Sequence, residues 1–352
     1  MFFIILQMDF TENLLHWYRE HKRDLPWRNT SDPYYIWLSE IILQQTRIEQ
    51  GLPYYEAFTQ NFPTLKDLAT ADEDRVLKLW QGLGYYSRAR NLHHTAKAIY
   101  FDLGNRFPSR YDEIISLKGI GPYTAAAIAS FAFKEPVGVV DGNVFRVISR
   151  FFGIYDDISL PRTRTVFQNL VNALISKEHP DLFNHALMDF GATVCTPASP
   201  KCTHCVLSGA CVAFLNNEIR NLPVKTKKTA VKDRYLNYLI IRNNDRVAIQ
   251  QRTSKDIWQQ LYELPLVETS DNGEESILDR ISELYPSQGV VKITERPVKH
   301  KLSHQQLHIN FYEVEGHNNA SLRYVAEEEL PRYAYPIVVW NFLKDFFSLE
   351  KN

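Results

Sequence analysis

The sequence predicts two parts of different fold class, a mostly helical part followed by an α/β part. Through residues 9 to about 217, apolar residues recur at spacings of three and four, and alternating runs are few. From residue 235 the apolar spacing approaches two, which is typical of strands. Between them, NLPVKTKKTAVKDR at 221–234 is basic and has no apolar period. It is therefore predicted to be a linker, which could lie along a polyanion.

The length and composition favour two globular domains. The chain has 352 residues, of which 45% are hydrophobic and 23% are charged. We expect a helical region at 1–217, a basic linker at 218–234 and an α/β domain at 235–352. The net charge of −1 neither favours nor excludes nucleic acid as a partner, because a balanced total can include a basic face.

The cysteines and the apolar runs indicate the compartment. All four cysteines lie between 195 and 211, whereas a secreted disulfide framework would spread them along the chain. No apolar run approaches the ~18 residues of a membrane span, and MFFIILQ lacks the basic segment and cleavage site of a signal peptide. We therefore expect a reducing, cytoplasmic location and no membrane partner.

The first element that carries chemistry is the helix predicted in PYYIWLSEIILQQT, which contains Glu40. Ile36 and Leu43 flank Glu40 on one helix face, and the rest of this turn is also apolar. Burial there would raise the pKa of the carboxyl group, which suits a general acid. The alternative is that Glu40 pairs with an arginine or reaches solvent.

The next element is the turn LKGIGPYTA at 117–125, which joins two predicted helices. Pro122 suits the first position of a helix, and Gly119 and Gly121 permit positive φ and close approach of another backbone. The free N–H groups at such a helix start can bind a phosphate. The alternative is a plain turn between packed helices.

A second carboxylate, Asp141, lies in VVDGNVFRVISRFF, between a strand-like step and an amphipathic helix. It can serve simply as the helix N-cap, and the helix dipole is expected to keep it ionised. One buried acid and one fixed carboxylate form the pair needed to cleave a glycosidic bond. Asn143 could orient a water molecule or this carboxylate, or could cap the helix.

The cysteine loop at 195–211 follows, with the spacing C-x6-C-x2-C-x5-C. Four thiols within 17 residues predict one four-thiolate site, for zinc or for a [4Fe–4S] cluster. Zinc ribbons usually have two C-x2-C pairs, and this loop has one, which favours iron–sulfur. The ligands would be Cys195, Cys202, Cys205 and Cys211.

The second part begins with YLNYLIIR and RVAIQQR, two predicted strands separated by the turn NND. A helix is predicted in EESILDRISELY and a further strand in LHINFYEVE. These elements predict an α/β domain.

Together, several of these stretches resemble the adenine DNA glycosylases of the MutY family, in the helix-hairpin-helix glycosylase superfamily. The resemblance covers nearly the whole chain. It implies a six-helix barrel with an iron–sulfur domain, followed by a Nudix-like domain. The stretches that carry it are LPWR (25–28), WLSEIILQQT (37–46), GLGYYSRARNL (82–92), LKGIGPYTA (117–125), VVDGNVFRV (139–147) and the cysteine loop.

The resemblance implies an enzyme, acting as a monomer, that excises adenine opposite 8-oxoguanine or guanine in double-stranded DNA. Glu40 matches the general acid that protonates adenine at N7. Asp141 matches the carboxylate that stabilises or traps the oxocarbenium ion, with Asn143 beside it. The hairpin would clamp a DNA phosphate, and a [4Fe–4S] cluster would brace the cysteine loop.

The same resemblance assigns residues around the flipped base. Trp27 and Arg28 match the wall of the adenine pocket, and Gln45 and Tyr85 match the residues that wedge the base stack. His185, in FNHALMDFGA, stands where relatives often have Gln or Glu, so its contact with the base departs from the family pattern.

Tyr123 bears on the type of reaction. The related endonuclease III enzymes have a lysine at this point of the hairpin, whose amine attacks the sugar and permits strand cleavage through a Schiff base. Tyrosine cannot form that adduct, so Tyr123 predicts a monofunctional glycosylase. By the resemblance, Tyr123 supports the carboxylate of Asp141.

The second domain resembles the family's Nudix-like reader of 8-oxoguanine. The Nudix hydrolase box is absent, so the domain is expected to bind and not to hydrolyse. Relatives read 8-oxoguanine with a Phe-Ser-His turn, which is Leu302-Ser303-His304 in this chain. Ser303 and His304 keep the hydrogen-bonding groups, whereas Leu302 lacks the aromatic ring.

Three other functions agree with parts of the sequence. A bifunctional glycosylase/lyase for oxidised pyrimidines is disfavoured by Tyr123 and by the reader domain. A non-catalytic DNA-binding protein is disfavoured by the presence of both Glu40 and Asp141. A nucleotide-diphosphate hydrolase is disfavoured by the missing Nudix box.

Overall fold

The computed structural model describes residues 2–226, 230–317 and 321–349, with the side chains of residues 2–8 left aside. It forms two compact units, one mostly helical and one built around a β-sheet, as the sequence predicts. Within the described residues, no helix combines the length and apolar character needed to cross a membrane.

The two units divide the chain differently from the expected boundaries. The first unit comprises Met1–Thr70 and Asn91–Lys227, and the second comprises Ala71–Arg90 and Lys228–Asn352. Part of the expected helical region 1–217 thus belongs to the second unit. The expected linker 218–234 ends inside a strand, since β1 begins at Lys232, and its residues 227–229 lie outside the described residues.

Hydrogen bonds explain why residues 71–90 belong to the second unit. The ammonium group of Lys78 donates to the carbonyl of Tyr333 at 3.0 Å, and Arg90 donates to the carbonyl of Gln259 at 2.7 Å. The helical period of a sequence reveals which face of a helix is buried, and it does not reveal which domain buries it.

Short helices make up most of the chain before residue 220. They are α1 (Phe2–His21), α2 (Pro33–Ile42), α3 (Ile48–Asn61), α4 (Leu65–Thr70), α5 (Glu73–Leu79), α6 (Ser87–Lys97), α7 (Tyr111–Ile114), α8 (Pro122–Phe133), α9 (Gly142–Phe152), α10 (Pro161–Leu174), α11 (Pro180–Thr193) and α12 (Val212–Leu215). In the first unit, α9 and α11 bury a shared core that includes Phe151, Phe183 and Phe190. This core fixes the helices whose ends carry the polar residues of interest.

Local sequence signals set the starts of the helices that matter for function. Asp32 caps α2 by accepting a hydrogen bond from the Tyr34 N–H at 2.8 Å, with Pro33 at the first helical position. Asp141 caps α9 in the same way, through the Val144 N–H at 2.8 Å. These caps fix where α2 and α9 begin, and they hold the carboxylate of Asp141 at the start of α9.

The second unit contains a sheet flanked by helices. Its elements are β1 (Lys232–Asn243), β2 (Arg246–Gln251), β3 (Tyr262–Glu263), β4 (Leu266–Thr269), α13 (Glu274–Leu284), β5 (Gly289–Lys292), β6 (Val298–Lys301), β7 (Gln305–Glu315), β8 (Arg323–Ala326) and α14 (Ile337–Phe346). In its described part, the strand order is β3-β2-β1-β7-β5, with β4 on β1, β6 on β7 and β8 on β2. β1 and β7 are parallel, and the other pairs are antiparallel.

The sheet confirms the elements expected in this part. β1 and β2 form the hairpin expected at NND, pairing Asn243 with Arg246. The expected helix is α13, whose Ile277 and Ile281 pack on the sheet beside Leu239. The long strand β7 contains the segment LHINFYEVE.

Candidate functional site

A cavity of about 410 Å³ in the first unit brings together side chains that are distant in the sequence. They come from the segment before α2, from α2 itself, and from α8, α9 and α11. The sequence-predicted residues that line it are Trp27, Arg28, Glu40, Tyr123, Asp141, Asn143 and His185.

Glu40 lies on the buried face of α2, with only 7% of its surface exposed. Burial raises the pKa of its carboxyl group to about 7. The Tyr123 hydroxyl hydrogen-bonds this carboxyl group and, with the charge of Arg28, lowers the pKa, whereas the carboxylate of Asp141 raises it. Glu40 can therefore hold or release a proton close to neutral pH.

Asp141 is held by two hydrogen bonds at the start of α9. The Val144 N–H donates to its Oδ1 at 2.8 Å, and the Asn143 amide donates to its Oδ2 at 2.7 Å. Burial raises the pKa of Asp141, and both hydrogen bonds lower it. From the sequence, the helix dipole alone predicts an ionised Asp141. Burial in the structure acts in the opposite direction on its pKa. Both carboxylate oxygens accept, so the contacts favour the ionised form.

Arg146 fixes the orientation of Asn143. Its guanidinium donates to the Asn143 side-chain oxygen at 2.9 Å, to the carbonyl of Gly191 at 2.6 Å and to that of Cys195 at 2.6 Å. The amide NH₂ of Asn143 therefore faces Asp141. Arg146 was not predicted from the sequence, although its place one turn after Asn143 on the same helix was a usable signal.

Tyr123 has a different partner from the expected one. Its hydroxyl hydrogen-bonds Glu40, and the carboxylate of Asp141 is held instead by its own helix. Burial raises the pKa of Tyr123 well above its ordinary value, so the hydroxyl stays a neutral donor. Tyr123 follows Pro122 directly, so the hairpin turn positions this ring in the cavity.

Arg28 forms a buried, two-point ion pair (a fork) with Asp189, which was not predicted from the sequence. The guanidinium donates to both carboxylate oxygens, at 2.5 and 2.7 Å. Arg23 donates to the same carboxylate through its Nε at 2.9 Å. Asp189 lies one turn after His185 on α11, and that spacing was the available signal.

Aromatic rings complete the cavity wall. Trp27 is buried and packs edge-on against Tyr55, with ring centroids 5.1 Å apart. The imidazole of His185 lies 3.9 Å from the ring of Phe131. Burial lowers the pKa of His185 to about 3, with the charge of Arg28 acting in the same direction. His185 is therefore a neutral donor and acceptor at physiological pH.

The two hairpin glycines differ in conformation. Gly119 has φ of +79°, and a Cβ there would lie 2.5 Å from the Cβ of Asn91. Gly121 has φ of −94°, so the expected positive φ applies to Gly119 only. A Cβ on Gly121 would meet no described atom within 4 Å, and no described side chain caps α8. The start of α8 is therefore accessible.

The predicted wedge and reader residues lie outside this cavity. Gln45 is exposed, with φ of 57°, in the loop after α2. Tyr85 is 45% exposed, with φ of 47°, and its hydroxyl hydrogen-bonds that of Ser303 within the second unit. Tyr85, Ser303 and His304 line one cavity of about 650 Å³, together with Trp258. Exposed residues with a strained backbone conformation, such as Gln45 and Tyr85, are typical of functional sites.

The cysteine loop surrounds a cavity of about 30 Å³. All four cysteines line it, and Arg150 from α9 donates to the Cys195 sulfur at 3.5 Å and to the carbonyl of Thr196 at 2.8 Å. Within the described ranges, no three His, Cys, Asp or Glu side chains converge in a way that would hold a single metal ion. Four thiols around one cavity are a donor set that suits a thiolate-bound metal, either zinc or an iron–sulfur cluster.

Comparison with known proteins agrees with this fold and site. Residues 38–173 match the HhH-GPD superfamily of base excision DNA repair proteins, and residues 237–345 match the NUDIX domain. The structure is similar to that of a thermostable thymine-DNA glycosylase, with a TM-score of 0.56 and 31% identity, covering 60% of this chain and 97% of that one. The fold and site thus define a helix-hairpin-helix DNA glycosylase with a Nudix-like second domain.

The curated relatives narrow this class. The chain is 35% identical over 305 residues to the adenine DNA glycosylase of Buchnera aphidicola subsp. Baizongia pistaciae, covering 86% of this chain and 84% of the relative. It is 42% identical over 213 residues to the human adenine DNA glycosylase, covering 58% of this chain and 39% of the relative. The chain belongs to the adenine DNA glycosylase (MutY) family, hydrolases of N-glycosidic bonds that act in base excision repair, as the sequence motifs predict.

Proposed function

We propose that this enzyme removes adenine paired with 8-oxoguanine or guanine in double-stranded DNA and leaves an abasic site without cutting the strand. One observation carries the proposal: Glu40, with its pKa raised to about 7, shares a cavity with the hydrogen-bonded carboxylate of Asp141. A protonatable acid and a fixed carboxylate are the two groups that glycosidic bond cleavage requires.

The reaction begins with a flipped-out adenine in the cavity, since a stacked base is out of reach. Glu40 gives its proton to adenine N7, so the C1′–N9 bond breaks and its electron pair leaves with neutral adenine. The negative charge of Asp141 stabilises the oxocarbenium ion at C1′ or traps it covalently. Water then adds to C1′, displacing the Asp141 carboxylate where a covalent bond has formed, and its proton passes to the Glu40 carboxylate, which gives the abasic site.

Tyr123 supports a reaction that stops at the abasic site. Strand cleavage through a Schiff base needs an amine close to the sugar. Tyr123 occupies the hairpin position that faces the cavity, and none of the described residues lining that cavity is a lysine. The rival function, a bifunctional glycosylase/lyase, would need a lysine amine, which the described lining of this cavity does not supply.

The proposal is tested by single-turnover assays on duplexes with one 8-oxoguanine:A, 8-oxoguanine:C or thymine glycol:A pair, each analysed with and without alkali. We expect cleavage of the adenine strand of the first duplex only, and only after alkali. Strand breaks at thymine glycol without alkali would establish the bifunctional reaction instead. Binding to all three duplexes without any product would indicate a non-catalytic protein.

The hairpin is assigned to contacts with the DNA backbone. The wedge residues are assigned to contacts with the base stack. The uncapped start of α8, with the open approach at Gly121, suits a phosphate, because its N–H groups are free to donate. Gln45 and Tyr85 are exposed and held in left-handed conformations, which suits insertion beside a flipped base.

The cavity between Tyr85 and the Leu302-Ser303-His304 turn is assigned to 8-oxoguanine. Its hydroxyl and imidazole groups suit the polar edge of that base, and Tyr85 and Trp258 supply aromatic surface where Leu302 has none. These contacts would give the enzyme its preference for 8-oxoguanine over guanine opposite adenine.

Replacing Ser303 with Ala should lower the ratio of excision rates on 8-oxoguanine:A and G:A duplexes by about tenfold, the equivalent of one lost hydrogen bond. Adenine chemistry on G:A should change little, because Ser303 lies outside the catalytic cavity. The control is Ser276→Ala on the exposed face of α13. If Ser303→Ala leaves the ratio of the two excision rates unchanged, the turn does not recognise 8-oxoguanine.

The cysteine loop is assigned to a [4Fe–4S] cluster. The four thiols surround one cavity, and each could bind one iron of such a cluster. Their spacing contains one C-x2-C pair, whereas zinc ribbons usually have two. When bound, the cluster would brace the loop against α9, where Arg150 already holds Cys195 and Thr196.

Purified protein should be yellow-brown, with about four iron and four sulfide ions per chain. Cys202→Ala should lose most of this visible absorption, whereas Thr203→Ala, next to it in the loop, should keep it. Colourless protein with about one zinc ion per chain would instead establish the zinc alternative.

A further inference from the structure

Asp189 has an unusual position for a carboxylate. Its side chain is fully buried on α11, and it accepts hydrogen bonds from two arginines. The Arg28 guanidinium binds both its oxygens, at 2.5 and 2.7 Å. The Arg23 guanidinium binds Oδ1 at 2.9 Å, and the Arg23 backbone N–H binds Oδ2 at 3.4 Å. A planar guanidinium held by such a two-point contact has little rotational freedom.

Arg28 and Glu40 line the same cavity, yet no hydrogen bond joins them among the described contacts. The charge of Arg28 nevertheless acts on Glu40 and lowers the pKa of its carboxyl group. An arginine released from Asp189 would have Glu40 as an alternative carboxylate partner. A direct ion pair would hold Glu40 ionised, because it favours the charged form.

We propose that Asp189 is a positioning residue that holds the Arg28 guanidinium in the cavity wall, away from Glu40. Arg28 can then contact the base while Glu40 remains free to take up and deliver its proton. This inference rests on the proposed role of Glu40 as the general acid. Asp189 acts through Arg28 and does not itself line the cavity.

Other charged or titratable groups also face Glu40. Tyr123 approaches from α8 and Asp141 from the start of α9, and both act on Glu40 directly. Arg47 and Glu49 line the cavity from the start of α3, and His185 lines it from α11. The variants leave these groups unchanged. Arg23 also lines the cavity and loses a partner in Asp189→Asn, so Arg28→Lys, in which Asp189 still holds Arg23, shows whether a shift comes from the Arg28–Asp189 contact.

The test is the pH dependence of single-turnover adenine excision, with enzyme in saturating excess over an 8-oxoguanine:A duplex. In Asp189→Asn, the pH at which the rate falls by half should move down by about one unit, so that the rate at pH 8 falls about tenfold. In Arg28→Gln the midpoint should move up, since the positive charge beside Glu40 is gone. Opposite shifts are a result that a merely structural role of Asp189 does not produce.

Asp181→Asn is the matched control, because Asp181 lies on the same helix but pairs with Lys134 outside the catalytic cavity. Its midpoint should equal that of the wild type. If Asp189→Asn does not fold, Arg28→Lys replaces it, because a lysine cannot form the fork and is free to pair with Glu40. That variant should show the same downward shift.

The outcomes separate this inference from the proposed function. A wild-type rate that does not fall at high pH would contradict Glu40 as the acid. A wild-type rate that falls, with an unshifted midpoint in folded Asp189→Asn or in Arg28→Lys, would overturn the role of Asp189 alone.

Discussion

Glu40→Gln should bind an 8-oxoguanine:A duplex about as tightly as the wild type but excise adenine between about 10² and 10⁴ times more slowly. Glutamine keeps the shape of the side chain and an oxygen that can accept from the Tyr123 hydroxyl, and it cannot donate a carboxylic proton. Single-turnover rates and gel-shift affinities measure the two quantities separately. The matched control is Glu56→Gln, an exposed residue of α3, which should leave both unchanged.

The same variant makes a prediction about stability that separates lost chemistry from lost folding. The pKa of Glu40 in the folded state, about 7, lies above that of an unfolded glutamate. The folded state thus loses stability between about pH 4 and 7, where the unfolded state has released this proton and the folded state keeps it, and the loss is complete above about pH 7. Glu40→Gln should therefore melt at a higher temperature than the wild type at pH 8. Wild-type excision rates in folded Glu40→Gln would exclude Glu40 as the acid.

Asp141→Asn should also reduce excision strongly, by about 10² to 10³-fold or more, because the negative charge proposed to stabilise the oxocarbenium ion is lost. Asparagine is about as good a helix N-cap as aspartate, so α9 should stay intact and the melting temperature should change by a few degrees at most. Circular dichroism and single-turnover rates test both parts. A rate within tenfold of the wild type would show that charge at this position is dispensable.

Local signals in the sequence mark these two carboxylates as candidates, and the resemblance to the MutY family assigns their roles. Glu40 stands alone in an apolar helix, and Asp141 stands at a helix start. Spacing alone, however, could not identify the hydrogen-bond partner of Tyr123. Both carboxylates lie far from it in the sequence, and only the packing of α8 on α2 selects Glu40.

Two other features could not be predicted from the sequence for a related reason. They are the Arg28–Asp189 fork and the assignment of residues 71–90 to the second unit. Arg28 and Asp189 are 161 positions apart, and no local period connects an arginine before α2 with an aspartate on α11. The segment 71–90 has the helical pattern of the first unit but hydrogen-bonds to residues of the second. Contacts between distant segments decide both features.

The wild-type pH profile of adenine excision tests the central claim, that a buried glutamic acid with a raised pKa protonates the leaving base. Glu40 is active when protonated, so the single-turnover rate should fall about tenfold per pH unit above about pH 7, and Glu40→Gln should lack this fall. At low pH the rate should fall again as Asp141 becomes protonated. A wild-type rate that stays constant from pH 6 to about 9 would contradict the account.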